Sequence, residues 1–229
     1  MRPISTKSNN LNFIFPYLII LIIVFISIML SSNLIIMEKT SKAYFRNFTT
    51  PTKDITFIIS TFLTSVFVNI LQLIFILLLA YYFLEAGLSA NIGFTVLLIF
   101  VSIALFTIIG MIIGYFFKSQ EAVTMASISV GSVLLFLSNL VLPVENMSVA
   151  VQKIAHYNPY VIASETLKKI TIFNAQWSEL QMDFAFLAGY IIIGIILALI
   201  IQKTSKIQYI SKRPMKHLLK KDDIVDKYL

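Results

Sequence analysis

His156 and His217 are the only imidazoles in the chain, and there is no cysteine. Two isolated histidines cannot build a histidine-rich metal cluster. Without cysteine there is no thiolate metal site, no cysteine nucleophile and no disulfide, and the redox compartment leaves no trace. The glycines stand at 87, 93, 110, 114, 131, 189 and 194, and none is followed by Lys, so there is no phosphate-binding P-loop with which to hydrolyse ATP. Glu145 and Glu165 share one polar segment, but their spacing fixes no mutual geometry and they do not read as an acid/base pair. His156, alone in the same segment, reads as a polar residue of a membrane interface. What remains is uncharged. Thr61, Ser65, Asn69 and Gln72 recur at spacings of four, four and three, which places them on one stripe of a helix. Polar side chains are costly in lipid, so the stripe must face protein or a watery path. Hydrogen bonds between helices, worth roughly 0.6 to 2 kcal/mol each, are the commoner use. The other is a translocation path or a contact between protomers, carried by Ser65, Asn69 and Gln72.

The elements that must hold such a stripe are visible in the charge pattern. Of 229 residues, 58% are hydrophobic and 13% charged, against about 25% charged in a soluble domain. Residues 8–37, 55–84, 86–117, 122–144 and 184–202 contain no charge at all. A bilayer core about 30 Å thick takes about 20 apolar residues as a helix, so the chain is expected to be an all-α membrane protein with five transmembrane helices, at about 13–37, 55–84, 94–117, 122–142 and 184–202. These form a transmembrane domain over 1–203, followed by a basic tail over 204–229. A cleaved signal peptide is the competing reading of the first run, which is too long for one and lacks an evident small-residue cleavage site. Net charge +7 reports orientation here. The segments 38–54, 118–121 and 203–229 hold 13 Lys and Arg against 5 in the alternate segments, so the first set is cytoplasmic and the N-terminus lies outside. The tail interleaves its basic residues with Ile207, Tyr209, Ile210, Leu218, Leu219 and Tyr228, which suits anionic lipid head groups and offers no platform for nucleic acid.

Between the spans lie three further patterns. Gly110-Met-Ile-Ile-Gly114 and Ser127-x-x-x-Gly131 have the small-residue spacing that lets helix backbones approach closely. After Glu38, Tyr44, Phe45 and Phe48 fall on one helical face while Lys42, Arg46 and Asn47 point elsewhere, a short amphipathic helix for the inner interface. Thr50-Pro51 ends it and starts the next span, with Thr50 as N-cap. On the outer side, Met147, Val151 and Ile154 share a face, Asn158-Pro159 breaks the chain, and Tyr160, Ala163, Leu167 and Ile170 begin a second amphipathic pattern. Two short helices, each too polar to span, are expected to lie at the outer interface or dip into it.

The order of these pieces resembles the membrane subunit of the type-2 class of ATP-binding-cassette exporters over about residues 13–203. The pieces are Glu38 and an amphipathic segment closing with Thr50-Pro51-Thr52-Lys53-Asp54, a long helix, a glycine-containing helix ending Phe116-Phe117-Lys118-Ser119-Gln120-Glu121, then Leu142-Pro143-Val144-Glu145-Asn146-Met147 and Tyr157-Asn158-Pro159-Tyr160. The resemblance implies that Glu38, Tyr44, Phe45, Arg46, Phe48, Thr50 and Pro51 couple the chain to an ATPase, and that Pro143, Glu145, Asn146, Asn158 and Pro159 belong to outer re-entrant helices. It also implies the N-out topology that the charges give independently. Relative to the usual six-helix permease, the first helix and an outer domain are missing, consistent with a truncated product, half of a split permease or a short variant. The implied function is a permease subunit of an export system in a prokaryotic plasma membrane. It dimerises with itself or another permease chain, is surrounded by lipid, and binds no cofactor, ATP and Mg residing on the partner ATPase. A mildly polar stripe without charge points to hydrophobic or amphipathic cargo, as in multidrug or lipid and polysaccharide efflux. The alternative from another class is a non-transporting membrane scaffold or accessory protein. A membrane-embedded enzyme ranks lowest, since it would need paired ionisable residues at membrane depth.

Overall fold

The computed structural model describes residues 7–40, 54–84, 92–138, 140 and 148–211. They form seven helices and, among the described residues, no strand: α1 Lys7–Thr40, α2 Asp54–Leu84, α3 Ile92–Phe116, α4 Gln120–Phe136, α5 Val149–His156, α6 Pro159–Thr171 and α7 Trp177–Ser211. Uninterrupted helix is what an apolar run must form in lipid, where every backbone N–H and C=O has to find its partner inside the segment. This overrides the weak helix preference of the many Ile and Val residues. Among the described residues, three stretches, Phe13–Thr40, Ile92–Phe116 and Trp177–Gln202, are long and apolar enough to cross a membrane, and Ile58–Ile74, within the longer α2, and Gln120–Phe136 are shorter apolar stretches.

Several helix ends differ from those expected from the absence of charge, among them the start of α1, which begins at Lys7. α4 ends at Phe136 rather than near Leu142. At 17 residues it is roughly 26 Å long. The reason is an uncharged cap: the Asn158 amide donates to the carbonyls of Leu134 and Leu137, closing the helix end. A scan for missing charge cannot see it. In the other direction, α7 begins at Trp177, not Phe184, and continues to Ser211, into the segment assigned to the tail. Charge keeps a residue out of the bilayer core but does not break a helix, and Glu and Lys are good helix formers. Asp183, which bounded the expected span, lies within α7 and is paired with Lys169 of α6.

Contacts between helices give their relative directions. Gly110 and Gly114 of α3 meet Ile28 and Ile35 of α1 in that order, so α1 and α3 run the same way. On α4 the order is reversed: Ser127 bonds Ser32 and Gly131 meets Phe25, an antiparallel pair. α2 is likewise antiparallel to α1, with Thr61 beside Glu38 and Asn69 beside Ile26 and Ser27. α7 follows α3, from the Phe94–Trp177 ring stack to Gly194 against Ile108. α1 and α3 therefore form a central parallel pair around which the other helices are arranged. The core lies along this pair and under α6, with Ile20, Ile28, Leu98, Phe106, Tyr160 and Leu167 fully buried.

Candidate transport and coupling site

α1 ends in Glu38-Lys39-Thr40, and this last turn holds two other helices. Thr61 Oγ1 on α2 donates to both Glu38 carboxylate oxygens, at 3.1 and 3.0 Å. Lys39 Nζ donates to the carbonyls of Gly114, Tyr115 and Phe117 at 3.1, 2.9 and 2.9 Å. The last carbonyls of a helix have no intrahelical donor, and a cation there also meets the negative end of the helix dipole. Lys39 is thus the C-terminal cap of α3, supplied by α1. Of the residues expected to couple to an ATPase, Glu38 is at this joint; Tyr44, Phe45, Arg46, Phe48, Thr50 and Pro51 lie outside the described residues.

The polar stripe of α2 turns toward α1 and α3 of the same chain. Thr61, Ser65 and Asn69 are buried, while Ile59, Leu63, Phe67, Leu71 and Ile74 form the exposed face of the helix. Asn69 Nδ2 donates to the Ser65 carbonyl at 2.9 Å and to Thr107 Oγ1 on α3 at 3.4 Å. Ser65 Oγ and Gln72 Oε1 are buried and make no hydrogen bond within the described structure.

The small-residue positions all meet α1. A Cβ on Gly110 would stand 2.0 Å from Ser31 Oγ and 2.5 Å from the Ile28 carbonyl oxygen; on Gly114 it would stand 2.6 Å from Ile35 Cβ. Gly131 faces the Phe25 ring. Ser127 Oγ shares a hydrogen bond with Ser32 Oγ at 2.8 Å, and Ser32, like Ser31, is completely buried.

At the opposite end of the bundle, Asn158 does two jobs. Its side-chain oxygen accepts from Tyr160 N at 2.9 Å as the N-cap of α6, with Pro159 at the first helical position. Its amide holds the end of α4 at 2.7 and 3.1 Å. Tyr160, Ala163, Leu167 and Ile170 are the buried face of α6, as their spacing predicts. The Tyr160 hydroxyl, whose pKa burial pushes well above its ordinary value, stays protonated and donates to the Tyr17 carbonyl of α1 at 2.9 Å. Tyr17 in turn donates its own hydroxyl to Glu165, and Lys168 reaches that hydroxyl at 3.3 Å. α5 differs: Val149 and Ile154 are exposed, as is Tyr157 just after it, while Ala155 is buried and Val151 half-buried, so its apolar face is only partly covered by the described residues. Pro143, Glu145 and Asn146 lie outside the described residues.

Several members of these sites escape sequence reasoning. Lys39 reads as one basic charge among several, since nothing local announces that it caps another helix. The cluster of Tyr17 with Glu165 and Lys168 joins residues far apart in sequence, and the Lys169–Asp183 pair at 2.6 Å links α6 to α7. Ser27, Ser31 and Ser32 carried the one usable signal, as hydroxyls repeated inside an otherwise apolar run.

The family model described as ABC-2 family transporter protein matches residues 3–200. No curated protein and no solved structure matches the chain. The match takes in all seven helices except the last turns of α7, and with it the chain belongs to the ABC-2 transporter family as a multi-pass membrane permease of an ATP-binding-cassette system.

Proposed function

We propose that the chain is the membrane-spanning subunit of an export system, moving its substrate outward with energy from ATP hydrolysed by a separate ATPase subunit. In this reading it crosses the membrane five times, with the N-terminus outside and the C-terminal segment in the cytoplasm, in a prokaryotic plasma membrane. It pairs with a second permease chain, the same or different. ATP and Mg belong to the partner; in the sequence of this chain no glycine is followed by Lys.

The observation that carries the reading is the joint at Glu38 and Lys39. The amphipathic segment around Tyr44, Phe45, Arg46 and Phe48 follows directly on α1. The last turn of α1 is bonded both to α2 through Thr61 and to the end of α3 through Lys39. A push on that segment by closing ATPases therefore reaches three helices at once, and the long α2 acts as the lever that repositions the bundle and its outer helices. Ser65, Asn69 and Gln72, on the inward side of that lever, are the path residues of this reading. Co-expression with the cognate ATPase tests it. The tagged chain should retain the ATPase through purification, and Phe48→Asp should release it by placing a charge in the docking face. Unchanged association and transport in Phe48→Asp would remove the coupling assignment.

A further inference from the structure

Halfway along α1 and α2, Ser27, Asn69 and Gln72 line a cavity of about 10 Å³ whose other walls are apolar, among them Ile23, Leu73 and Ile103. Two of the three polar residues carry an unpartnered atom: Ser27 Oγ and Gln72 Oε1 are buried and make no hydrogen bond within the described structure. Serines in helices ordinarily satisfy themselves by donating to the carbonyl four residues back. Ser31 does so to Ser27 at 2.6 Å and Ser127 to Val123 at 2.7 Å. Ser27, completely buried, does not. A buried hydroxyl and a buried amide oxygen left alone each forfeit the hydrogen bonds they make to water in the unfolded chain, in a region where no lipid atom can serve as their partner.

We propose that Ser27, Asn69 and Gln72 hold one ordered water molecule between α1 and α2, inside the membrane. The Ser27 hydroxyl donates to it, and the water donates to Gln72 Oε1, with the Asn69 side chain bounding the third side. The cavity has about the 10–15 Å³ of centre space that a single water needs, and it offers polar partners within the 2–4 that hold such a water. The chemistry of the wall selects water over other occupants. An apolar guest would leave both atoms unpaired, and a cation would require several oxygen ligands and compensating charge, whereas none of the lining side chains is charged. The contact between α1 and α2 is then direct at the Glu38 end and water-mediated at mid-depth.

Radiolytic labelling of the purified full-length chain in lipid nanodiscs, in ¹⁸O water, tests this, because bound water generates hydroxyl radicals in place. Ile23 and Ile103, which are buried from bulk solvent, should acquire ¹⁸O label, while Leu98 and Leu167, equally buried and away from the cavity, should not. The label should be lost in Ser27→Ala/Gln72→Leu. No label at Ile23 and Ile103 in the unsubstituted chain, or undiminished label in the double variant, overturns the proposal. If the double variant fails to fold, the melting temperature of Ser27→Ala decides. A hydrated site predicts a fall, because the water loses the hydroxyl that holds it. A dry one predicts a rise, because an orphaned hydroxyl is removed.

Discussion

Lys39 has three ammonium protons, and three backbone carbonyls at the end of α3 receive them. Bonds to a charged group contribute more than neutral ones, about 1.5–3 kcal/mol where the partner would otherwise be unsatisfied. Lys39→Met should therefore lower stability in detergent by about 2 kcal/mol or more, read as a fall in melting temperature, and Lys39→Arg should restore part of it. Gly110 and Gly189 make a sharper pair. A methyl at 110 collides with backbone and Ser31, whereas nothing lies within 4 Å of one at 189. Gly110→Ala should cost roughly 1–3 kcal/mol by forcing α1 and α3 apart, and Gly189→Ala should leave the melting temperature unchanged. At this scale the sequence was legible for negatives and for spacing. It identified the glycines as close-approach positions, but their partners on α1 are set by how the helices stack. Lys39 and Tyr17 stayed hidden for the same reason, since both act on residues far away in the chain.

Helices were read from missing charge, and that criterion finds apolar cores better than ends. It located α2 and α3 to within about two residues but missed the first six residues of α1, and the spacing of Thr61, Ser65 and Asn69 gave the buried face of α2. It overran α4 because the cap is the neutral Asn158 amide, and it cut α7 short because Asp183 lies within the helix, paired with Lys169. The double role of Asn158 can be separated. Asn158→Asp keeps the oxygen that caps α6 and removes the donor that closes α4; Asn158→Ala removes both. Hydrogen–deuterium exchange should show faster exchange at the last turn of α4 in both variants, but faster exchange in the first turn of α6 only in Asn158→Ala. Equal behaviour of the two variants at α6 would mean that the Asn158–Tyr160 bond does not carry the cap.

For the molecule as a whole, the order of pieces was the most informative signal: an amphipathic segment after α1, a long polar-striped helix, and an Asn-Pro junction between two short helices. The order pointed to the family that the match over residues 3–200 then showed. The geometry adds a joint at which the end of α1 grips α2 and α3; in the proposed mechanism, motion imposed on the segment after Thr40 would be shared by the three helices. The chain contains no cysteine, so pairs of introduced cysteines can be spin-labelled without background. Met37 and Ile196, both exposed, report α1 near its joint and α7. The most direct measurement is the Met37–Ile196 distance distribution in the complex with the ATPase, with and without ATP. ATP should shift the distribution, and Lys39→Met, in which the end of α3 loses the cap supplied by α1, should blunt the shift while the ATPase remains bound. A distribution unchanged by ATP in the intact complex would contradict the proposed mechanism.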